Sequence, residues 1–253
     1  MTNAEIAIFG LFEALSIPRS GATLIHTAFK RIADGSGLEA AAVVRAFCDY
    51  KASGTLLMPT MSWRLVRAGI DVFDVRETPS NVGILTDIFR TQHAQKRSLH
   101  PTHSVAGRGD DVAEILSRHH EDETPVSAKS PFGMLPNLNA TVVLFGVGME
   151  CCTLMHHVEE TIAPDCYLQP SSLRESFSCK DEHGAPQIVH VRRHLKIPRR
   201  YQVVSAALDE RGLLARHVLG GVEITAFRAC DALDLGSEML RRQPDFFLQK
   251  FFT

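Results

Sequence analysis

His156 and Glu159 stand three residues apart, beyond the apolar run at 141–147 (TVVLFGV) and the Gly146-Val147-Gly148 turn. On a helix, residues i and i+3 share a face, so the carboxylate can orient the imidazole and support a positive charge on it. That pair has the make-up of a general base. The plainer alternative is a solvated helix start with an incidental contact, but the position just after a strand and a turn favours chemistry. Earlier in the chain, the stretch Leu99 to Gly107 crowds His100 and His103 around Pro101, and Ser104 adds a hydroxyl able to contact a carbonyl or thioester oxygen. The His-x-x-His spacing also suggests zinc, with Cys151, Cys152, His156 or His157 as further ligands. Against zinc, adjacent Cys-Cys and His-His pairs chelate poorly and neither HExxH nor CxxC occurs. A third trace is a run from the strand at 22–26 (ATLIH) into Thr27, Lys30, Arg31 and the Gly35-Ser36-Gly37 turn. A hydroxyl, two cations and free backbone N–H groups at one strand end suit a diphosphate, although a GxG and a Lys-Arg pair are each common on solvated surfaces.

The elements that must hold these residues alternate helices with apolar strands. Periodicity predicts helices over 4–15, 39–53, 82–90, 110–119, 201–210 and 231–242, and strands over 22–26, 54–59, 141–147 and 221–228. The segments at 73–79 and 124–139 read as loops, and 181–185 as a hairpin turn leading into 187–192. With no internal repeat or low-complexity linker, the expectation is one α/β domain over residues 1–253, a layered mixed sheet flanked by helices.

Composition narrows the function classes. The chain has 253 residues, 45% of them hydrophobic, enough to bury a large core. Its 27 basic and 29 acidic residues leave a net charge of −2, so the overall field that captures nucleic acid or anionic membrane is missing. Glu5 interrupts the N-terminal segment where a signal peptide would carry basic residues, and no apolar run is long enough for a membrane span, so a cytoplasmic protein is expected. Six cysteines without CxxC read as reduced, mostly buried thiols. The apolar tail at 246–252 (FFLQKFF) reads as cover for a core edge or, in a homodimer, for a partner subunit.

Five ordered blocks then carry a resemblance: GTLLMPT at 54–60, TPSNVG at 78–83, RSLHPTHSVAGRG at 97–109, SPFGML at 130–135 and LFGVGMECCTLMHHVEE at 144–160. In sequence, order and spacing the chain resembles the aminoglycoside 3-N-acetyltransferase family over roughly residues 20 to 240, ending in a C-terminal segment from Gly212 through Gly221 to Leu235. The resemblance implies transfer of an acetyl or related acyl group from coenzyme A to a primary amine, on an α/β fold distinct from the common acetyltransferase fold and without a metal. It puts the catalytic histidine at His156 and its acid at Glu159. It puts the pantetheine and thioester contacts at Thr27, His100, His103 and Ser104, and the coenzyme phosphates at the turn of Phe29, Lys30 and Arg31.

The chain departs from the family's drug-modifying members in two places. The downstream glutamate that supports their histidine falls near His194 or Leu195, where there is no carboxylate, and their His-Ser-Ser-Leu becomes His26-Thr27-Ala28-Phe29. Around the first departure lie Arg192, Arg193, Lys196, Arg199 and Arg200, read either as an exposed basic face or as a site for an anionic acceptor. The resulting expectation is acyl transfer to an amino sugar or sugar nucleotide, with an aminoglycoside as the alternative acceptor. A His-rich metal-dependent hydrolase and a binding protein with decayed catalysis are the readings from other classes.

Overall fold

The computed structural model describes residues 1–249. The chain opens with α1 (Asn3–Ala14), started by a reciprocal cap in which the Glu5 N–H donates to Thr2 Oγ1 and the Thr2 N–H donates to Glu5 Oε2. Then follow β1 (Ala22–Thr27), α2 (Lys30–Ser36), α3 (Ala40–Tyr50), β2 (Thr55–Pro59), β3 (Val72–Asp74), α4 (Ile84–Gln92), β4 (Lys96–Arg97), β5 (Val105–Arg108) and α5 (Val112–Ser117). The second half contains α6 (Pro131–Met134), β6 (Thr141–Phe145), α7 (Leu154–Ile162), α8 (Pro164–Tyr167), β7 (Glu175–Lys180), β8 (Pro186–Val191), α9 (Gln202–Glu210), β9 (Ala215–Leu219), β10 (Val222–Arg228) and α10 (Ala229–Arg242).

Seven strands form a mixed sheet in the order β4-β5-β2-β1-β6-β10-β9. Its centre is parallel: β1 pairs with β2 and with β6, while β5 and β10 flank them antiparallel. Every residue of β1, β2 and β6 is buried, as strands covered on both faces require. Alternation along the strands splits the core. Leu24, Val142 and Leu144 pack with α7, α9 and α10 on one face, and Ile25, Val143 and Phe145 pack with α1, α3 and α4 on the other.

β3, β7 and β8 make a separate three-stranded sheet around Phe73, Phe177, Val189 and Val191. The hairpin β7–β8 turns where the sequence placed it, but β3 lies in the segment read as a loop. With three residues, only Phe73 of them buried, β3 is too short to show a period. β9 escaped detection for a related reason: it is an edge strand with three exposed residues, lying between two glycine-rich turns. The Gly35 turn proves to be the end of a helix, α2, closed by Gly37 in the left-handed conformation (φ 69°). Of the C-terminal tail, Phe247 is buried beside Tyr201 within this chain, and residues 250–253 lie outside the described part. Among the described residues, no helix is long and apolar enough to cross a membrane.

The functional crevice follows from the topology. β1 and β6 are neighbouring parallel strands with Thr27 opposite Phe145 at their C-terminal ends, yet α2 leaves toward one face and α7 toward the other. A cleft must open where the two connections part. Gly146 (φ 77°) permits this divergence, since a Cβ there would stand 2.5 Å from the Ala28 carbonyl oxygen.

Candidate active site

Two adjoining cavities of about 300 and 530 Å³ occupy the crevice and share Met61, Trp63, Val82, Cys151 and Thr153. The smaller is lined by His26 and Thr27 at the end of β1, with Pro59 and Val147. The larger is lined by His103, His156, His194, Lys196 and Tyr201. His156 therefore faces the larger cavity, whose wall at Cys151 and Thr153 is continuous with the smaller one.

Three side chains, Glu159, Tyr201 and Arg199, build its hydrogen-bonded surroundings. His156 Nδ1 lies 2.8 Å from Glu159 Oε2, the i,i+3 contact expected from sequence. The Tyr201 hydroxyl donates to Glu159 Oε1 at 2.6 Å and lies 2.9 Å from His156 Nδ1, while Arg199 Nε donates to Glu159 Oε1 at 3.2 Å. Glu159 is fully buried, whereas the His156 side chain is 25% exposed. Burial alone would raise the Glu159 carboxyl, but His156, Arg199 and Tyr201 outweigh it and hold the group below its ordinary value. An ionised carboxylate only accepts, so the network assigns the proton to Nδ1 and leaves Nε2 as the free base. Burial and then the Glu159 charge push the Tyr201 phenol well above its ordinary value, which makes it a donor to Glu159 and not a competing base.

The other residues singled out from sequence divide into two groups. Thr27 and His103 lie on the cavities, and His103 Nδ1 is 2.8 Å from Thr102 Oγ1. Ser104 does not reach the crevice. Its hydroxyl is fully buried, donates to the Thr60 carbonyl oxygen at 2.9 Å and accepts from Arg97 Nε at 3.0 Å, so it braces the β2–β5 region. His100 is likewise interior: its Nδ1 accepts the His103 N–H and its ring stacks on His119. Phe29 is buried in the core, and Lys30 and Arg31 are exposed at the start of α2, lining neither cavity.

The basic segment changes meaning as well. Arg192 pairs with Asp165, Arg193 with Glu175 and Arg199 with Glu159, and Arg200 donates to the Phe246 carbonyl oxygen. Among the described residues, only Lys196 of the five presents an unpaired cation at the cleft, so the run is mainly structural. The position expected to lack an acid holds His194, stacked on His156 with ring centroids 4.1 Å apart at 24°. The sequence names His194 and Arg199 only as a departure from the family and as part of a basic run, and does not single out Tyr201, because all three lie about 40 residues from His156 with no local pattern tying them to it.

His156, Glu159 and His194 bring ligand-type atoms within 4.8 Å of one another. Both carboxylate oxygens of Glu159 are already engaged and the Arg199 cation sits beside them, so the set suits a proton better than a dication. Cys151 is exposed where the cavities meet, but burial and then Glu150 raise its thiol, and burial pushes Cys152 up to about 12. Neither is an activated nucleophile.

Comparison with known proteins adds an independent line. Residues 24–241 match the model of the family described as aminoglycoside 3-N-acetyltransferase. An SPbeta prophage-derived aminoglycoside N(3')-acetyltransferase-like protein of Bacillus subtilis, YokD, is 26% identical over 171 residues, covering 59% of this chain and 62% of that protein. Its crystal structure superposes with a TM-score of 0.81 over 95% of this chain and 94% of that one, at 21% identity. Aminoglycoside N(3)-acetyltransferase VII of Streptomyces paromomycinus is 34% identical over 174 residues, 63% of this chain and 58% of that enzyme. A solved structure of AAC-IIIb with CoASH gives a TM-score of 0.79 at 18% identity over 98% of each chain. The matched sequence spans 57 to 62% of the length of the curated relatives.

Proposed function

This chain belongs to the aminoglycoside 3-N-acetyltransferase family, and from that premise we propose that it moves an acetyl or related acyl group from acyl coenzyme A directly to a primary amine, with His156 as general base. The observation that carries the reading is the His156–Glu159–Tyr201 cluster, whose His156 and Tyr201 line the larger cavity next to the smaller one. The smaller cavity supports a place for a pantetheine arm: it is largely apolar, with the Thr27 hydroxyl and a His26 ring whose Nε2 has no partner among the described residues. Burial holds His26 down to about 4, so at neutral pH this ring is an uncharged partner for an amide or thioester. Bound acyl coenzyme A supplies an activated carbonyl. An ammonium cannot attack it, so the acceptor nitrogen must lose a proton to His156 Nε2. As the nitrogen bonds to the carbonyl carbon, Glu159 stabilises the imidazolium through Nδ1 while Tyr201 and Arg199 keep the carboxylate in place; the C–S bond then breaks and the departing coenzyme A thiolate takes the proton back from His156. No cysteine is needed as a nucleophile. Use of acyl coenzyme A as the donor supports a cytoplasmic location.

The acceptor reading follows from the walls of the larger cavity. Among the described residues Glu150 is the one carboxylate lining it, against Lys196, Arg193, Arg199 and the His103 and His194 rings, which burial holds well below their ordinary value. A polycation gains little from such walls, which supports an amino sugar or sugar nucleotide over a polycationic aminoglycoside. Family membership favours the aminoglycoside as the second reading. The test is H156A: thiol release from acetyl coenzyme A should be abolished across a panel of nucleotide-linked amino sugars and aminoglycosides, while calorimetry finds coenzyme A affinity unchanged. Unimpaired turnover in that variant refutes the role of His156, and the panel ranks the two acceptor classes.

A further inference from the structure

Glu160, one residue along α7 from Glu159, lies against His194, the ring that stacks on His156. The Glu160 side chain is almost fully buried and its two oxygens accept the Val126 N–H at 3.0 and 3.2 Å. Its Oε1 comes within 2.9 Å of His194 Nε2, out of line for a hydrogen bond. The His194 ring in turn lies flat against His156 and has His103 at 5.9 Å on the cleft side. From these contacts we infer that His194, braced by Glu160, is a positioning residue: it holds the plane of His156 and keeps an uncharged surface against that ring while it gains a proton. The inference rests on the reading of His156 as the base.

The hydrogen bonds to Glu159 and Tyr201 restrain only one edge of His156 at Nδ1. An imidazole fixed at one atom still swings about it, and Nε2, at the far side of the ring, travels furthest. Contact over the ring face removes that freedom, and His194 makes it. A base held this way needs a neighbour that does not repel the imidazolium. The groups facing His194 are His156, Glu159 and Glu160 of α7, His103 and His100 from the turn before β5, and Arg199 of its own segment. Burial, then His156, lower His194 well below its ordinary value, against the smaller opposing effect of Glu159, so it stays neutral. Its main chain is fixed without the side chain, because the Gln169 N–H donates to the Arg193 carbonyl oxygen and the Leu195 N–H to that of Tyr167. Changes to the ring alone therefore probe positioning.

The experiment compares H194A, H194F and E160Q with the wild type by steady-state kinetics and by NMR of the His156 Nδ1–H proton, whose observation requires no acceptor. H194A should lower kcat by about tenfold or more with KM for acetyl coenzyme A unchanged, a loss of the size that misplaced groups cause, and should broaden the Nδ1–H signal. H194F restores a flat, uncharged face and should recover most of both. E160Q should fall between wild type and H194A. The inference is overturned if H194A keeps wild-type kcat and a sharp signal, or if folded H194F is as impaired as H194A. If the NMR changes appear but the wild type turns over no amine, the proposed function fails and the positioning role stands.

Discussion

Replacing Glu159 by Gln removes one charge at the centre of the cluster and leaves the shape intact. The Nδ1–Oε2 separation of 2.8 Å fixes the scale. At an effective dielectric constant of about 20, an imidazolium and a carboxylate at this distance attract by about 6 kcal/mol. Arg199, 3.2 Å from the other oxygen, already neutralises part of that charge, so roughly half of the attraction, about 3 kcal/mol, should be lost from the protonated state. The expected result is a fall in kcat of about 10²-fold. KM for acetyl coenzyme A should stay unchanged, because Glu159 lines neither cavity. The assay is thiol release at saturating acyl donor, run from pH 6 to 9, beside urea denaturation to confirm the fold. A folded E159Q enzyme within threefold of wild-type kcat would refute the assignment of Glu159 as the electrostatic partner of the base.

S104A should cost about 1–3 kcal/mol of stability in urea melts, because it strands part of the buried Arg97 and Thr60 network. Its kcat should stay within about twofold of wild type, and a large loss of rate in a stable protein would return Ser104 to the chemistry. G146A should raise KM for acetyl coenzyme A, since its Cβ would drive into the Ala28 carbonyl and shift the turn after Thr27; an unchanged KM counts against placing the donor there. Acid should destabilise the fold well before the carboxylates titrate. Burial lowers His26 and His119 from 6.5 to about 4, and His100, His103 and His194 are lowered too. The unfolded chain thus binds more protons below pH 6.5, so stability is full above that value and declines by up to about 1.4 kcal/mol per pH unit for each such histidine as pH falls toward 4. Glu160, raised to about 7 by burial, works in the opposite sense over the same window and offsets one of them. Equal urea midpoints at pH 7.5 and 5 would contradict this balance.

How much was legible can be followed through particular residues. The run TVVLFGV announces β6 because a strand buried on both faces must be apolar throughout, and the Gly-x-Gly turn and the His156–Glu159 spacing follow it in a fixed local geometry. The hairpin at 181–185 and the long amphipathic helices were readable for the same reason. β3, β9 and the second sheet were not, since short or half-exposed strands are specified by the partner they pair with.

Ser104 and the arginines of 192–200 show the limit at the site. Residue type gives Ser104 a hydroxyl and Arg199 a charge, but burial and partner decide that the first braces Arg97 and the second clamps Glu159. By itself, then, the sequence determined the α/β class, the family and the local acid–base pair, all written in contacts between residues close along the chain or in ordered motifs. Only the tertiary structure decided which distant groups, Tyr201, Arg199 and His194, surround that pair and which cations remain free to meet a ligand. Such groups are selected by packing across the chain, where distance along the sequence carries no information about distance in space.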